Sequence, residues 1–314
     1  MASLDAQTFA DCEIIAVDDG STDATPDILA RAASVSRRLR VIRRSPLGVV
    51  SAANHAAELA GGDLLARMDA DDIAYPERLA RQVALLDTNP DLVACGTQIR
   101  YIPRETLKDG FRRYEHWINS VITPEDIERE LFVECPIPNP TLMVRRSTFH
   151  AVGGYRDGDF PEDYDLLFRL SSPVSRLSKV PEVLLDWRDS PTRLTRTDPR
   201  YSADAFRRLK VQYLCSTRLS SVPSVVIWGA GPVGKAFALG LQAQGVTVAA
   251  FVDLDPRKIG QTIHGAPVIA PDHIEEYRGS YILAAVGQAG AREEIRAMLA
   301  GAGRSEIRDW CAVA

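Results

Sequence analysis

Cysteine is scarce. The 314 residues hold five, Cys12, Cys95, Cys135, Cys215 and Cys311, with no C-x-x-C pair among them. Sparse, odd-numbered and widely spaced thiols exclude a disulfide scaffold and a cysteine-built zinc site, and they fit a reducing, cytoplasmic setting. No apolar run approaches the roughly 18 residues that span a bilayer, so a membrane channel is excluded. The stretch Met1 to Asp11 lacks the basic patch and apolar core of a signal peptide. A positive surplus is also missing: 37 Lys+Arg stand against 42 Asp+Glu, a net charge of −5. The arginine pairs Arg37-Arg38 and Arg43-Arg44 are scattered rather than striped, which excludes a general nucleic-acid binder. No basic patch marks an anionic-membrane docking face, though a peripheral position at the inner face of the membrane stays compatible. Repeats and low-complexity tracts are absent as well. What is present is ordinary for a folded chain, 46% hydrophobic and 25% charged. At roughly 150 residues per domain the length predicts about two domains.

Up to about Leu170, short apolar runs alternate with helical stretches. Strands are predicted at 13–17, 39–42, 64–68 and 91–95. Helices are predicted at 25–33, with Thr25 as N-cap and Pro26 in the first turn, at 50–59, and at 76–86 with Leu79, Val83 and Leu86 on one face. This alternation predicts an α/β domain with a mostly parallel sheet, whose ligands sit at the carboxyl ends of the strands. The segment 188–200, rich in Ser, Thr, Arg and Pro, reads as a loop, 201–219 as a helix and 220–224 as a linker. The domains are therefore expected at 1–219 and 220–314.

Three acidic constellations stand out in the first domain. Asp18-Asp19-Gly20-Ser21-Thr22-Asp23 follows a strand. It could accept hydrogen bonds from a base or ribose, but alone it reads better as an Asx turn and helix cap. Asp69-Ala70-Asp71-Asp72 also follows a strand. Carboxylates at alternate extended positions project to one side and can hold a hard cation, with water and a diphosphate completing its shell; an exposed acidic turn is the plainer alternative. Glu162-Asp163-Tyr164-Asp165 precedes the amphipathic run 166–170. These acids suit a helix N-terminus or a general base for an acceptor hydroxyl.

Taken in order and spacing, these motifs resemble the family 2 glycosyltransferases, enzymes of the nucleotide-diphosphosugar (GT-A) fold. The resemblance rests on Gln7 through Asp23, on Ala66-Arg67-Met68-Asp69-Ala70-Asp71-Asp72 with Pro76-Glu77-Arg78-Leu79, and on Pro138-Asn139-Pro140-Thr141, Gly153-Gly154-Tyr155 and Glu162-Asp163-Tyr164-Asp165. It spans about two-thirds of the chain. It implies that Asp19, with Asp18 beside it, contacts the uracil or ribose of the donor. Asp69 would hold ribose or diphosphate, Asp71 would ligate a Mg²⁺ or Mn²⁺ and Asp72 would support it. Asp163 would be the base and Glu162 would orient it or the acceptor. Gly153-Gly154-Tyr155 would frame the acceptor, and Arg188 would clamp phosphate, with a solvated arginine as its alternative. The implied reaction is inverting displacement of a sugar from a nucleotide-diphosphosugar, a UDP-sugar first among them, onto a glycan or lipid-linked acceptor in surface-polysaccharide synthesis. His116 and His150 have no ligand-spaced partners, and the processive Gln-x-x-Arg-Trp signature is absent after the base. The chain departs from the family at its start, which falls within the family's first helix. The expectation is a sheet lacking its first, central strand, with activity weakened or lost, unless another segment fills the position.

A second unit opens at Val225. A strand leads into Gly229-Ala230-Gly231-Pro232-Val233-Gly234 and a helix, and Asp253 closes the next strand. That is the context of a Rossmann-like dinucleotide fingerprint: glycines for close approach to a pyrophosphate, and Asp253 for a ribose. Bound NAD(P) or another nucleotide, and a purely structural role, both remain open; the unit is also similar to the small domains that precede sugar O-acyltransferases. Two other functions stand beside the transferase: an NAD(P)-binding oxidoreductase, for which no hydride-transfer constellation is seen, and a non-catalytic nucleotide-sugar-binding or assembly protein. A homo-oligomer is compatible with each.

Overall fold

The computed structural model describes every residue except Pro173 and Thr192. The chain forms two compact units, Met1–Ile127 with Cys135–Asp198, and Glu128–Glu134 with Pro199–Ala314. The division therefore falls at Asp198 rather than at residue 219. The helix Ala203–Ser216 belongs to the second unit, where it packs on the helix Pro232–Ala243. Inside that unit the buried Lys210 ammonium donates to the carbonyls of Val133 (2.6 Å) and Val313 (3.3 Å), which draws the segment Glu128–Glu134 into it. Of the segment read as a loop, Thr192 lies outside the described residues; the rest contains a helical turn at Leu194–Thr197.

Among the described residues the first unit holds seven strands: β1 (Ile14–Asp18), β2 (Leu39–Arg43), β3 (Leu64–Ala66), β4 (Ile73–Ala74), β5 (Leu92–Ile102), β6 (Met143–Arg145) and β7 (Arg176–Arg188). β1 and β2 pair in parallel as a separate two-stranded sheet. The others form one sheet in the order β3-β6-β5-β7-β4. Only β5 and β7 run parallel there; β3–β6, β5–β6 and β4–β7 are antiparallel. The expected mostly parallel sheet is thus mixed, because the short β6 inserts between β3 and β5, antiparallel to both.

Local sequence explains the helices. The helix begins at Thr25 with Ala24 as its N-cap, so Thr25 is the first helical residue rather than the cap; Asp23 Oδ1 accepts the Thr25 N–H at 2.9 Å, and Pro26 lies in the first turn. The helix Arg78–Thr88 packs an apolar stripe on β5, with Leu86 fully buried beside Leu92, Cys95 and Met143. Burial of such a leucine contributes roughly 1.5–3 kcal/mol. A second core gathers Ile99, Tyr101, Ile118 and Leu185, with Met68, Phe111, Tyr114, Trp117 and Trp187 at its margin. Coverage of β1 is thinner: Ile14 to Val17 are only half-buried, and the helix Thr25–Val35 buries no residue fully.

The second unit holds β8 (Ser224–Trp228), β9 (Thr247–Val252), β10 (Thr262–Ile263), β11 (Ala266–Ile269), β12 (Tyr281–Ala284) and β13 (Trp310–Ala312). Their order is β10-β11-β9-β8-β12-β13, parallel except for β10. Here the central strand is sealed, with Val225, Val226 and Ile227 at 0% exposure. That is what a parallel strand covered on both faces requires.

Candidate active site

The acidic turn 69–72 leaves the end of β3 and is held from below by two buried polar side chains. Arg78, 1% exposed, donates to the Arg67 carbonyl (2.6 Å), to Met68 Sδ (3.2 Å) and to Gln82 Oε1 (3.1 Å). Burial lowers its guanidinium to about 10. Gln82, also fully buried, donates to the carbonyls of Thr141 (2.8 Å) and Cys95 (3.3 Å). One turn of helix therefore ties the approach to the acidic turn to the 139–141 turn.

The members of the acidic turn differ in environment. Asp71 is exposed. Asp72 is buried: its Oδ1 accepts the Arg188 N–H at 2.8 Å, its Oδ2 has no hydrogen-bond partner, and burial, reinforced by Asp69 and Asp71, raises its carboxyl to about 7. Arg188 Nε also donates to the Asp71 carbonyl at 2.8 Å, so the end of β7 is laced to the turn. Arg193 stacks on Trp187, 4.3 Å from its ring centroid, and its charge acts on Asp72. Asp69 is ion-paired with Arg67 Nη2 at 2.8 Å.

The acceptor-side residues meet the same turn. Glu162 and Asp163 occupy the first turn of the helix Glu162–Leu170, Glu162 buried and Asp163 half-buried. Tyr155 is locked in place: Asn54 exchanges two backbone hydrogen bonds with it (2.8 and 2.9 Å), and its hydroxyl donates to Asn139 Oδ1 at 2.7 Å. Gly154 makes this possible. Its φ is +63°, and a Cβ there would lie 2.7 Å from Asn54 Oδ1. Burial raises the Tyr155 phenol strongly, and Asp163, Asp69 and Glu162 act in the same direction against Arg67. These residues, more than 90 positions apart at the extremes, therefore share one electrostatic site.

Asp18 and Asp19 are engaged locally at the end of β1. Asp18 Oδ1 accepts the Ser21 N–H at 2.9 Å, the Asx turn expected as the plainer alternative, and hydrogen bonding from the Ser21 side chain and then its backbone holds the carboxyl below the usual range. Asp19 accepts the N–H groups of Leu47 (3.1 Å) and Gly48 (2.7 Å) and pairs with Arg44 at 2.9 Å. Against the upward push of burial, these donors hold it low. Three residues of the site were given no role from sequence: Arg67 and Asn139, quoted only as motif members, and Asn54. A signal existed for the first, since Arg67 and Asp69 are two apart in an extended segment and so share a side.

Among the described residues no three His, Cys, Asp or Glu side chains gather into a self-sufficient metal cluster. Asp71 with its neighbours instead fits the mode in which one or two carboxylates and substrate phosphates share a hard cation.

In the second unit two glycines of the turn, Gly229 and Gly234, are sterically required. Gly229 has φ +117°, and a Cβ on Gly234 would lie 1.9 Å from the Gly229 carbonyl. Asp253 departs from expectation. Its Oδ2 accepts from Ala230 N–H (3.0 Å) and Lys258 Nζ (2.8 Å), and its Oδ1 accepts the Asp255 N–H at 2.9 Å. Both oxygens thus clasp the chain's own loops rather than standing free for a ribose. A Cβ on Gly231 would meet nothing within 4 Å.

Residues 1–153 match the model of glycosyl transferase family 2, and residues 222–308 match the C2185-like, N-terminal family. The chain is similar to an uncharacterized glycosyltransferase of Haemophilus influenzae, 30% identical over 60% of this chain and 59% of that protein. It is also similar to the amylovoran biosynthesis glycosyltransferase AmsE of Erwinia amylovora, 26% identical over 59% and 67%. The structure of S. aureus TarS 1-349 in complex with UDP-GlcNAc shares the fold, at a TM-score of 0.53 and 18% identity, covering 68% of this chain and 61% of that one. The chain spans less than two thirds of the Haemophilus relative and of TarS 1-349. No helix among the described residues is long and apolar enough to cross a membrane. The match to glycosyl transferase family 2 thus falls mainly on the first unit.

Proposed function

We propose that the first unit transfers a sugar from a nucleotide-diphosphosugar to a hydroxyl acceptor, with inversion, in polysaccharide synthesis. The observation that carries this is the meeting of Asp69, Arg67, Tyr155, Glu162 and Asp163 beside an exposed Asp71. Asp163, half-buried at a helix start, is the base that takes the acceptor proton; Glu162, buried beside it, orients the acceptor or that base. Asp69 faces ribose or diphosphate. Arg188, exposed and anchored to the Asp71 carbonyl, is the phosphate clamp. Asp71 would hold a Mg²⁺ or Mn²⁺, with Asp72 fixing the turn from beneath. When bound, the cation neutralises the departing diphosphate as a Lewis acid. Asp18 and Asp19 close the base-binding end, Asp19 through the 44–48 loop that it orders.

The thin cover of β1 and the free edges of β1 and β3 support an open strand position between the two sheets. The second unit is read as Rossmann-like, on its parallel sheet and its Gly229, Gly231 and Gly234 turn. Its self-clasped Asp253 favours a structural or assembly role over NAD(P) binding. The test is nucleoside diphosphate release from a panel of UDP- and GDP-sugars with Mn²⁺. Release that stops on adding EDTA is expected. No release from any donor, or release indifferent to EDTA, would overturn the proposal.

A further inference from the structure

Polar ties from both ends of the site converge on one helix, Val49–Leu59. At the base-binding end, Asp19 accepts the N–H groups of Leu47 (3.1 Å) and Gly48 (2.7 Å), the two residues that lead into it. Arg44 supplies a second route. Its Nε pairs with Asp19 at 2.9 Å, while Nη1 and Nη2 donate to the carbonyl (3.2 Å) and hydroxyl (2.6 Å) of Ser51 in the first turn. One turn further on, Asn54 donates to the Tyr155 carbonyl at 2.8 Å and accepts the Tyr155 N–H at 2.9 Å. The Tyr155 hydroxyl in turn donates to Asn139 Oδ1 at 2.7 Å. From Gly48 to Asn54 a helix rises roughly 9 Å, so a single rigid element joins Asp19 to the acceptor frame.

Packing alone does not fix this helix. Only Val50 and Ala57 of its residues are buried, and Ile14 to Val17 of β1, on which it packs, are half-buried. An element so lightly covered depends on its polar ties for its position. Asp19 is half-buried, and a carboxylate offers about four acceptor sites, so its three donors leave room for a ligand N–H or hydroxyl. We propose that the helix is a coupling arm and Asn54 its positioning residue: a nucleotide engaged at Asp19 steadies the helix and, through Asn54, the Tyr155 frame on the acceptor side. This rests on the transferase reading above, in which Asp19 closes the base-binding end.

The test is hydrogen exchange at the Tyr155 amide of the full chain, read by mass spectrometry with fragmentation to single residues, with and without saturating UDP or GDP and Mn²⁺. In wild type the nucleotide that binds should slow this exchange at least fivefold. Asn54→Ala should hold the change under twofold. Arg44→Met leaves Asn54 and Tyr155 in place, yet should also hold it under twofold, which a merely structural Asn54 would not produce. Asn54→Asp keeps the acceptor for the Tyr155 N–H and should fall between. Circular dichroism checks folding, and calorimetry sets the saturating concentration for each protein; if one variant is unfolded or cannot be saturated, the other two decide. Slowing under fivefold in a wild type that binds nucleotide, or of twofold or more in Asn54→Ala or Arg44→Met, would overturn the coupling alone. Failure of wild type to bind either nucleotide would overturn the base-end reading of Asp19 and the coupling with it.

Discussion

Replacing Gln82 by leucine probes the scaffold beneath the site. Gln82 is fully buried; its side chain donates to the Thr141 carbonyl at 2.8 Å, the Cys95 carbonyl at 3.3 Å and Cys95 Sγ at 3.7 Å, and accepts from Arg78 Nε at 3.1 Å. Leucine fills a similar volume, so the cavity contribution is small and the polar loss dominates. A buried carbonyl losing its donor costs about 1–3 kcal/mol, and a bond to a charged donor is worth about 1.5–3 kcal/mol. Counting the better-placed Thr141 carbonyl and the Arg78 donor, the sum is about 2.5–6 kcal/mol, large against the roughly 5–15 kcal/mol that typically stabilises a domain. Urea unfolding should show the midpoint falling with little change in m. Donor turnover should fall too, because the same side chain fixes the 139–141 turn that holds Tyr155 and, through Arg78, the approach to Asp69. A Gln82→Leu protein within 1 kcal/mol of wild type would refute the idea that these buried polar bonds hold the site together.

Two further outcomes follow from individual side chains. Lys179 is buried and donates to the carbonyls of Ile118 and Pro136; burial lowers its ammonium to about 7. Its folded pKa lies below the unfolded value, so between about pH 7 and 10 the unfolded chain holds the extra proton and raising pH favours the fold, by up to about 1.4 kcal/mol per pH unit. Lys179→Met should flatten this dependence in denaturation at several pH values; an unchanged slope contradicts the assignment. Gly154→Ala meets a left-handed backbone and a Cβ 2.7 Å from Asn54 Oδ1, so a loss of about 2–4 kcal/mol is expected in thermal unfolding. A shift equivalent to under 0.5 kcal/mol would show that the Asn54–Tyr155 pair does not need this glycine.

Much of the fold was legible because local signals agreed with it. The Leu79, Val83 and Leu86 stripe marks its helix, and the run from Val225 to Trp228 marks a buried parallel strand. What escaped is long-range. β6 is three residues whose antiparallel insertion depends on partners about 50 and 80 positions away, which no local period encodes. The boundary at Asp198 depends on the helix Ala203–Ser216 packing on Pro232–Ala243, and the inclusion of Glu128–Glu134 on Lys210 reaching Val133. Within the site, the carboxylates were legible as acidic clusters at strand and helix ends. Their partners were not: the donors around Asp19 lie on a neighbouring loop, and those around Asp253 come from its own turn and the glycine loop. Arg67 escaped because a lone arginine beside three aspartates looks like surface charge until the fold brings Tyr155 and Glu162 to its other side.

The most direct measurement compares Asp163→Asn with Asp71→Ala, reading donor binding by calorimetry and diphosphate release in parallel. If Asp163 is the base and Asp71 the cation-holding carboxylate, Asp163→Asn should bind donor within threefold of wild type yet release diphosphate at least 100-fold more slowly. Asp71→Ala should lose Mn²⁺-dependent binding and release together. Turnover by both variants within threefold of wild type would contradict the account.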